Sequence, residues 1–116
     1  MANIGSLMSL KAKVKLATAS TIVLSQSEFD LDWTTYNIFK KNLTATSAFT
    51  FSQTVDSVSI VLVLINNTGS DIAVSFPSGV KWPGSITSSV AASTSAVVTF
   101  IKVDGVVYCS ALTGMV

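Results

Sequence analysis

An all-β fold, an antiparallel β-sandwich of jelly-roll-like kind with an N-terminal arm, is what this sequence of 116 residues predicts. Three observations lead there. Ser, Thr and β-branched residues dominate after Lys15, with no convincing helical period. Apolar runs are short and interrupted by turn residues at close intervals. Asp104–Gly105 stands between two β-patterned runs, among the strongest hairpin signals a sequence can carry.

The bulk composition narrows the class further. Only 11% of residues are charged, well under the ~25% usual for soluble domains, while hydrophobic residues reach 49%. Mean hydropathy is +0.62. The longest uninterrupted apolar run, Ile60–Ile65, is far short of the ~20 residues a membrane helix requires, so no membrane insertion is expected. What remains is an uncharged Ser/Thr-rich surface, or an apolar excess buried between subunits. Both fit an oligomeric structural protein. The N-terminus lacks an apolar h-region and cleavage site, so no secretory signal is expected, and the sequons at Asn42 and Asn66 carry no weight without secretion. Seven lysines and no arginine give a net charge of +1. Nucleic-acid readers rely on the bidentate guanidinium, so no nucleic-acid partner is expected.

Taken in order, the elements fall into three sections. In "LKAKVKLA", Lys11, Lys13 and Lys15 share one face of a strand and Leu10, Ala12, Val14 and Leu16 the other. Residues 4–19 read as a strand or extended arm, with a helix as the alternative. The second section begins at "STIVLSQSEFDLDW". Glu28, Asp30 and Asp32 alternate there with Phe29, Leu31 and Trp33, an acidic counterpart to the lysine strand. "YNIFKKNL" and "AFTFS" are two further strands. In the third section "VSIVLVLI" is apolar on both faces, which predicts a central, doubly buried strand. "NNTGSD" is a turn with Asn and Gly available for left-handed backbone angles, and "IAVSF" is a strand that Pro77 should end. A Ser/Ala/Thr-rich connection leads to "VVTFIKV" and "VVYCSAL", the two arms of the Asp-Gly hairpin. Residues 1–35 are read as an attachment arm and residues 36–116 as the sandwich module.

The chain is poor in catalytic side chains, with no histidine, no arginine and one cysteine, Cys109. None of its serines has a histidine to serve as base, and there is no phosphate loop or zinc spacing, so the expectation is a non-enzymatic protein without cofactor. Cys109 is expected to be a small buried hydrophobe. Glu28, Asp30 and Asp32 are the one acidic cluster. On a strand they would stand roughly 7 Å apart on one face, a solvated face or a loose site for a hard cation. They could also meet Lys11, Lys13 and Lys15 across strands or a subunit boundary, where charge pairing acts on register and partner choice more than on affinity. In "SFPSGVKWPGS", Trp82 is held between two proline-set turns. It is either a packing anchor or a sugar-stacking platform helped by Lys81, Ser78 and Ser85.

Three stretches resemble a β-rich module that recurs in bacteriophage tail-fibre, head-fibre and capsid decoration proteins. "KKNLTATSAFTFSQ" carries Leu43, Thr44, Phe49, Thr50 and Phe51 of its start. "IVLVLINNTGSDIAVSFPSGVKWPGS" carries Val74, Phe76, Pro77, Val80, Trp82, Pro83 and Gly84 of its middle. "VVTFIKVDGVVYCSAL" carries Phe100, Ile101, Asp104, Gly105 and Tyr108 of its closing hairpin. The likeness spans about residues 39–112. It departs after Gly84, where "SITSSV" replaces the module's usual "G-G-x-x-P". The resemblance implies a non-enzymatic virion protein, often a homotrimer, made in the host cytoplasm. Few residues precede the module, which favours a compact protein seated on a capsid or tail protein through its N-terminal segment. Trp33 would join the lysine and carboxylate faces as an attachment residue. The alternative is a tail-fibre or tail-associated module binding a host receptor or glycan.

Overall fold

A computed structural model describes residues 20–83 and 88–116. Lys11, Lys13, Lys15 and Ser85, and with them residues 1–19 of the arm and residues 84–87, lie outside the described residues. The chain is all-β there, with eight strands: β1 Thr21–Val23, β2 Ile38–Asn42, β3 Ser47–Ala48, β4 Ser59–Asn66, β5 Ile72–Ser75, β6 Ser89–Val90, β7 Thr94–Val103 and β8 Val106–Met115. They form a five-stranded sheet of order β1-β2-β4-β7-β8 and a three-stranded sheet of order β3-β5-β6. The two meet across one core, an arrangement compatible with a β-sandwich.

The Asp-Gly signal does what its chemistry requires. Asp104 (φ 50°) and Gly105 (φ 78°) are both left-handed, as a two-residue type I′ turn demands. They join β7 to β8 in antiparallel register, Val103 opposite Val106 and Phe100 opposite Cys109. β4 is the middle strand of its sheet, antiparallel to β7. β5 ends at Ser75, two residues before Pro77.

Side-chain alternation gives the large sheet two distinct faces. Inward point Phe39 and Lys41 of β2, Ile60, Leu62, Leu64 and Asn66 of β4, Ala96, Val98 and Phe100 of β7 and Cys109 of β8, all buried. Ile72, Val74 and Val90 of the small sheet pack on them, with Leu24, Leu31, Trp33, Leu43 and Phe49. Each fully buried Ile or Leu is worth about 1.5–3 kcal/mol relative to exposure. Asn66 is wholly buried but satisfied. Its Nδ2 donates to the carbonyls of Ser70 (2.8 Å) and Val90 (2.9 Å), and its Oδ1 accepts from the Thr68 N–H (2.9 Å).

The outward face is different. Parity and register place Val23 of β1, Ile38 and Lys40 of β2, Val61, Val63 and Ile65 of β4, Val97, Thr99 and Ile101 of β7, and Tyr108, Ser110 and Leu112 of β8 on it. Lys40 is the one charged residue on these outward strand positions. Val23 is 57% exposed, Tyr108 48% and Leu112 64%.

Several expectations need correction. The sandwich is not purely antiparallel: β1 with β2, β2 with β4 and β3 with β5 are parallel. The connections from Leu24 to Asn37 and from Leu43 to Val58 exceed the dozen or so residues a parallel crossover needs. Residues 28–33 alternate as predicted but form no strand, only a bridge between Asp30 and Thr50. Local turns win there: Glu28 Oε1 accepts the Ser25 N–H (2.9 Å) and Asp32 Oδ1 accepts the Thr34 N–H (2.9 Å), the side-chain competition with ladders expected of such residues. The turn after β4 takes no left-handed Asn or Gly; the Asn66 side chain shapes it instead. Residues 20–35, assigned to the arm, contribute β1 and the core side chains Leu24, Leu31 and Trp33. The Ser/Ala/Thr-rich connection holds β6 and the start of β7.

Candidate functional site

Glu28, Asp30 and Asp32 are brought together, though not on a sheet face. They line a cleft of about 440 Å³ whose walls are Ile22, Leu24, Phe29, Tyr36 and Phe39. The chain from Ser25 to Thr35 is fastened over the edge of the core by its own polar groups. Asp30 Oδ1 accepts from Thr50 Oγ1 (2.8 Å) and from the Ser52 N–H (2.8 Å). Leu31 N–H donates to the Thr50 carbonyl (2.8 Å) and Trp33 N–H to the Gln53 carbonyl (3.0 Å).

Lys41 secures this segment from below. It is 1% exposed, and its ammonium donates to the carbonyls of Ser25 and Glu28 while lying 4.0 Å from the Phe29 ring centroid. Burial pulls its pKa below the ordinary lysine range, against the opposing pull of the Glu28 charge. Sequence reading passed over this residue. The signal was available: in "IFKKNL" strand parity puts Lys41 on the side of Phe39 and Leu43.

Glu28 and Asp30 are held in the charged form. Backbone and side-chain hydrogen bonds from Ser25 keep Glu28 below its usual range. Burial raises Asp30, but hydrogen bonds from Ser52 and Thr50 outweigh it and the net shift is downward. A general acid for neutral pH needs the opposite shift, so what Glu28 and Asp30 supply is fixed negative charge. No group of His, Cys, Asp and Glu with metal-holding geometry occurs among the described residues.

Trp33 is a core residue, 1% exposed, with its ring 5.5 Å from Phe51 in an edge-to-face contact. Attachment through its side chain is therefore corrected: the ring lies beneath the surface that a partner would touch. Its Nε1 has no hydrogen-bond partner among the described residues.

The proline-flanked loop is fastened at one point. Lys81 N–H donates to the Val107 carbonyl (2.8 Å) and Cys109 N–H to the Lys81 carbonyl (2.9 Å), so the loop adds a single rung to the free edge of β8. Trp82 then turns inward, half-buried, 5.4 Å from Phe76 and 6.3 Å from Phe100. Lys81 and Ser78 are exposed. Cys109 lies beneath the rung, and burial pushes its thiol up to about 12, so it is neutral and inert as a nucleophile.

No family model, curated protein or solved structure matches this chain.

Proposed function

We propose that the chain is a non-enzymatic structural protein of a bacteriophage virion, a capsid decoration or head-fibre protein that assembles as a homotrimer. One observation carries this reading. The residues of the phage-module resemblance converge in space: Phe51, Phe76, Trp82 and Phe100 interlock with ring centroids 5.1–6.3 Å apart, and the Asp104–Gly105 turn brings Tyr108 into the rung with Lys81. That convergence supports the reading. Residues from Ser20 onward pack into the same core, so the reading assigns docking on a capsid or tail protein to the segment before Ser20. The cleft carboxylates Glu28 and Asp30 offer that segment, or the docking partner, a negative patch.

The test is incorporation. Particles of the phage that encodes the chain should carry it, and deletion of residues 1–19 should remove it from particles while the domain stays folded. Undiminished incorporation of the deletion variant would sink the docking role. The second reading is a tail-fibre or tail-associated module that binds a receptor or glycan. The part of Trp82 left exposed beside Lys81 and Ser78 favours it. Under that reading Trp82→Ala loses stability with its cluster contacts, while Lys81→Ala, exposed and outside that cluster, folds and assembles normally but loses binding to host cells.

A further inference from the structure

We infer that the outward face of the five-stranded sheet is the contact between copies of this chain. The inference deepens the assembly reading above and rests on it, because it names the surface through which the chain would meet itself.

Chemistry argues first. Exposed apolar surface on a folded domain marks an interaction site, and here partly open apolar side chains hold the middle of the sheet, with Lys40, Thr99 and Ser110 interspersed among them. Val23 is exposed at one edge and Leu112 at the other, with Val61, Val63 and Val97 between them. Same-chain interfaces are the more apolar class, whereas partners of different chemistry are chosen through charge patterns. Lys40 is the single charge on these outward positions. It sits on β2, away from the β4–β7 centre, with a stem long enough to carry its ammonium to the rim. Such a face has little by which to select a charged partner and much by which to match itself.

Area argues second. Strands about 4.8 Å apart, with outward residues about 6.7 Å apart along each, give this sheet roughly 500 Å² of plan area. The side chains standing off the sheet add to that, against the ~800 Å² per partner of a standard stable interface. The segment preceding Ser20 is the competing occupant, since it enters the structure beside β1. As a strand it would cover about one strand's width of the five, and as a helix about two. In a trimer the sheets of two neighbouring copies, packed about 10 Å away, divide the face between them and cover what a single strand or helix leaves open.

The experiment is light scattering coupled to size exclusion on the full chain, on Val63→Asp at the centre of the face, and on Ile101→Lys. Ile101 is 41% exposed, so a lysine there leaves the fold intact even if Val63→Asp does not. Circular dichroism reads the fold of each variant. The wild type should run as a dimer or trimer, and each folded variant should associate roughly 100-fold more weakly or worse, as an unpaired charge buried in the contact requires. A monomeric wild type overturns the inference, as does an unchanged mass in the folded variants. A monomeric wild type that associates once residues 1–19 are deleted also overturns it, and assigns the face to the chain's own N-terminal segment. Virion incorporation is read separately. A monomer found in particles leaves the virion reading standing without this contact. An oligomer never found in particles does the reverse.

Discussion

The two sides of β4 are made of nearly the same residues and have different surroundings. Ile60, Leu62 and Leu64 are wholly buried, while Val61, Val63 and Ile65, one step along the same strand, keep part of their surface open. A run such as "VSIVLVLI" therefore reports that both faces are suited to burial. It does not report that one chain covers both. The inner face has been filled by the small sheet and the Ser25–Phe51 segments, with rings locked edge to face. The outer face is equally apolar and has no layer over it among the described residues. The first is fold; the second is surface prepared for contact.

The largest test of that contrast is a pair of truncations. Phe100→Ala, in the centre of the inner aromatic cluster, should cost about 3–5 kcal/mol in urea denaturation. Val63→Ala on the outer face should cost about 1 kcal/mol or less in a monomer. Equal losses would mean that the outer face is covered within the chain. Next in size is Lys41→Met, which keeps the stem and removes the ammonium beneath the Ser25–Glu28 turn. Two carbonyls and a ring lose their cation, and stability should fall by about 2 kcal/mol, with hydrogen exchange speeding up first at residues 25–31.

Gly105→Ala sharpens the contrast through register, because a slip of one residue would exchange the two faces of β8. At φ 78° an alanine should cost about 1–2 kcal/mol, read as a shift in denaturation midpoint. Asp30→Asn addresses what holds the edge of the inner layer. The Asp30 carboxyl is held below its ordinary 3.8, so the folded chain keeps the charge where the unfolded chain has already bound a proton. Its stabilisation is present above about pH 4 and lost as pH falls through the lowered folded value. An acid titration of Asp30→Asn should therefore show a shallower loss than wild type. The smallest effect belongs to the outer face: Val23→Thr should leave stability within about 0.5 kcal/mol.

Most of the fold's local parts were legible. Asp104–Gly105 determined its hairpin because only a primed turn suits that pair, and Pro77 ended its strand for want of a ladder N–H. Long-range pairing was not legible. Nothing in "TIV" or "IFKKN" says that these strands run parallel, since the deciding quantity is the length of the connections and what they pack against. Residues 28–33 misled for a related reason. Their alternation correctly put Leu31 and Trp33 inside, but Glu28 and Asp32 spend their oxygens on neighbouring N–H groups and forestall the strand. The carboxylate cluster was visible as a composition, whereas its cleft depends on Ile22, Tyr36 and Phe39 arriving from elsewhere. Lys41 could have been found by parity alone.

The parallel ladders also set an order of events in time. β1 and β2 are made early on the ribosome, yet β2 has no partner except β1 until β4 emerges, and β4 in turn waits for β7. The β7–β8 hairpin is closed by two residues and can form within roughly 1–10 μs, but it is made last. The expected order therefore runs against the direction of synthesis, with the β7–β8 hairpin nucleating and the earlier strands docking afterwards across long loops. Until the hairpin arrives, the nascent chain displays Ile60–Ile65 on both sides, the kind of open apolar strand that associates before it folds. Pulse-labelled hydrogen exchange during refolding should find protection at Phe100 and Cys109 ahead of Ile22 and Phe39.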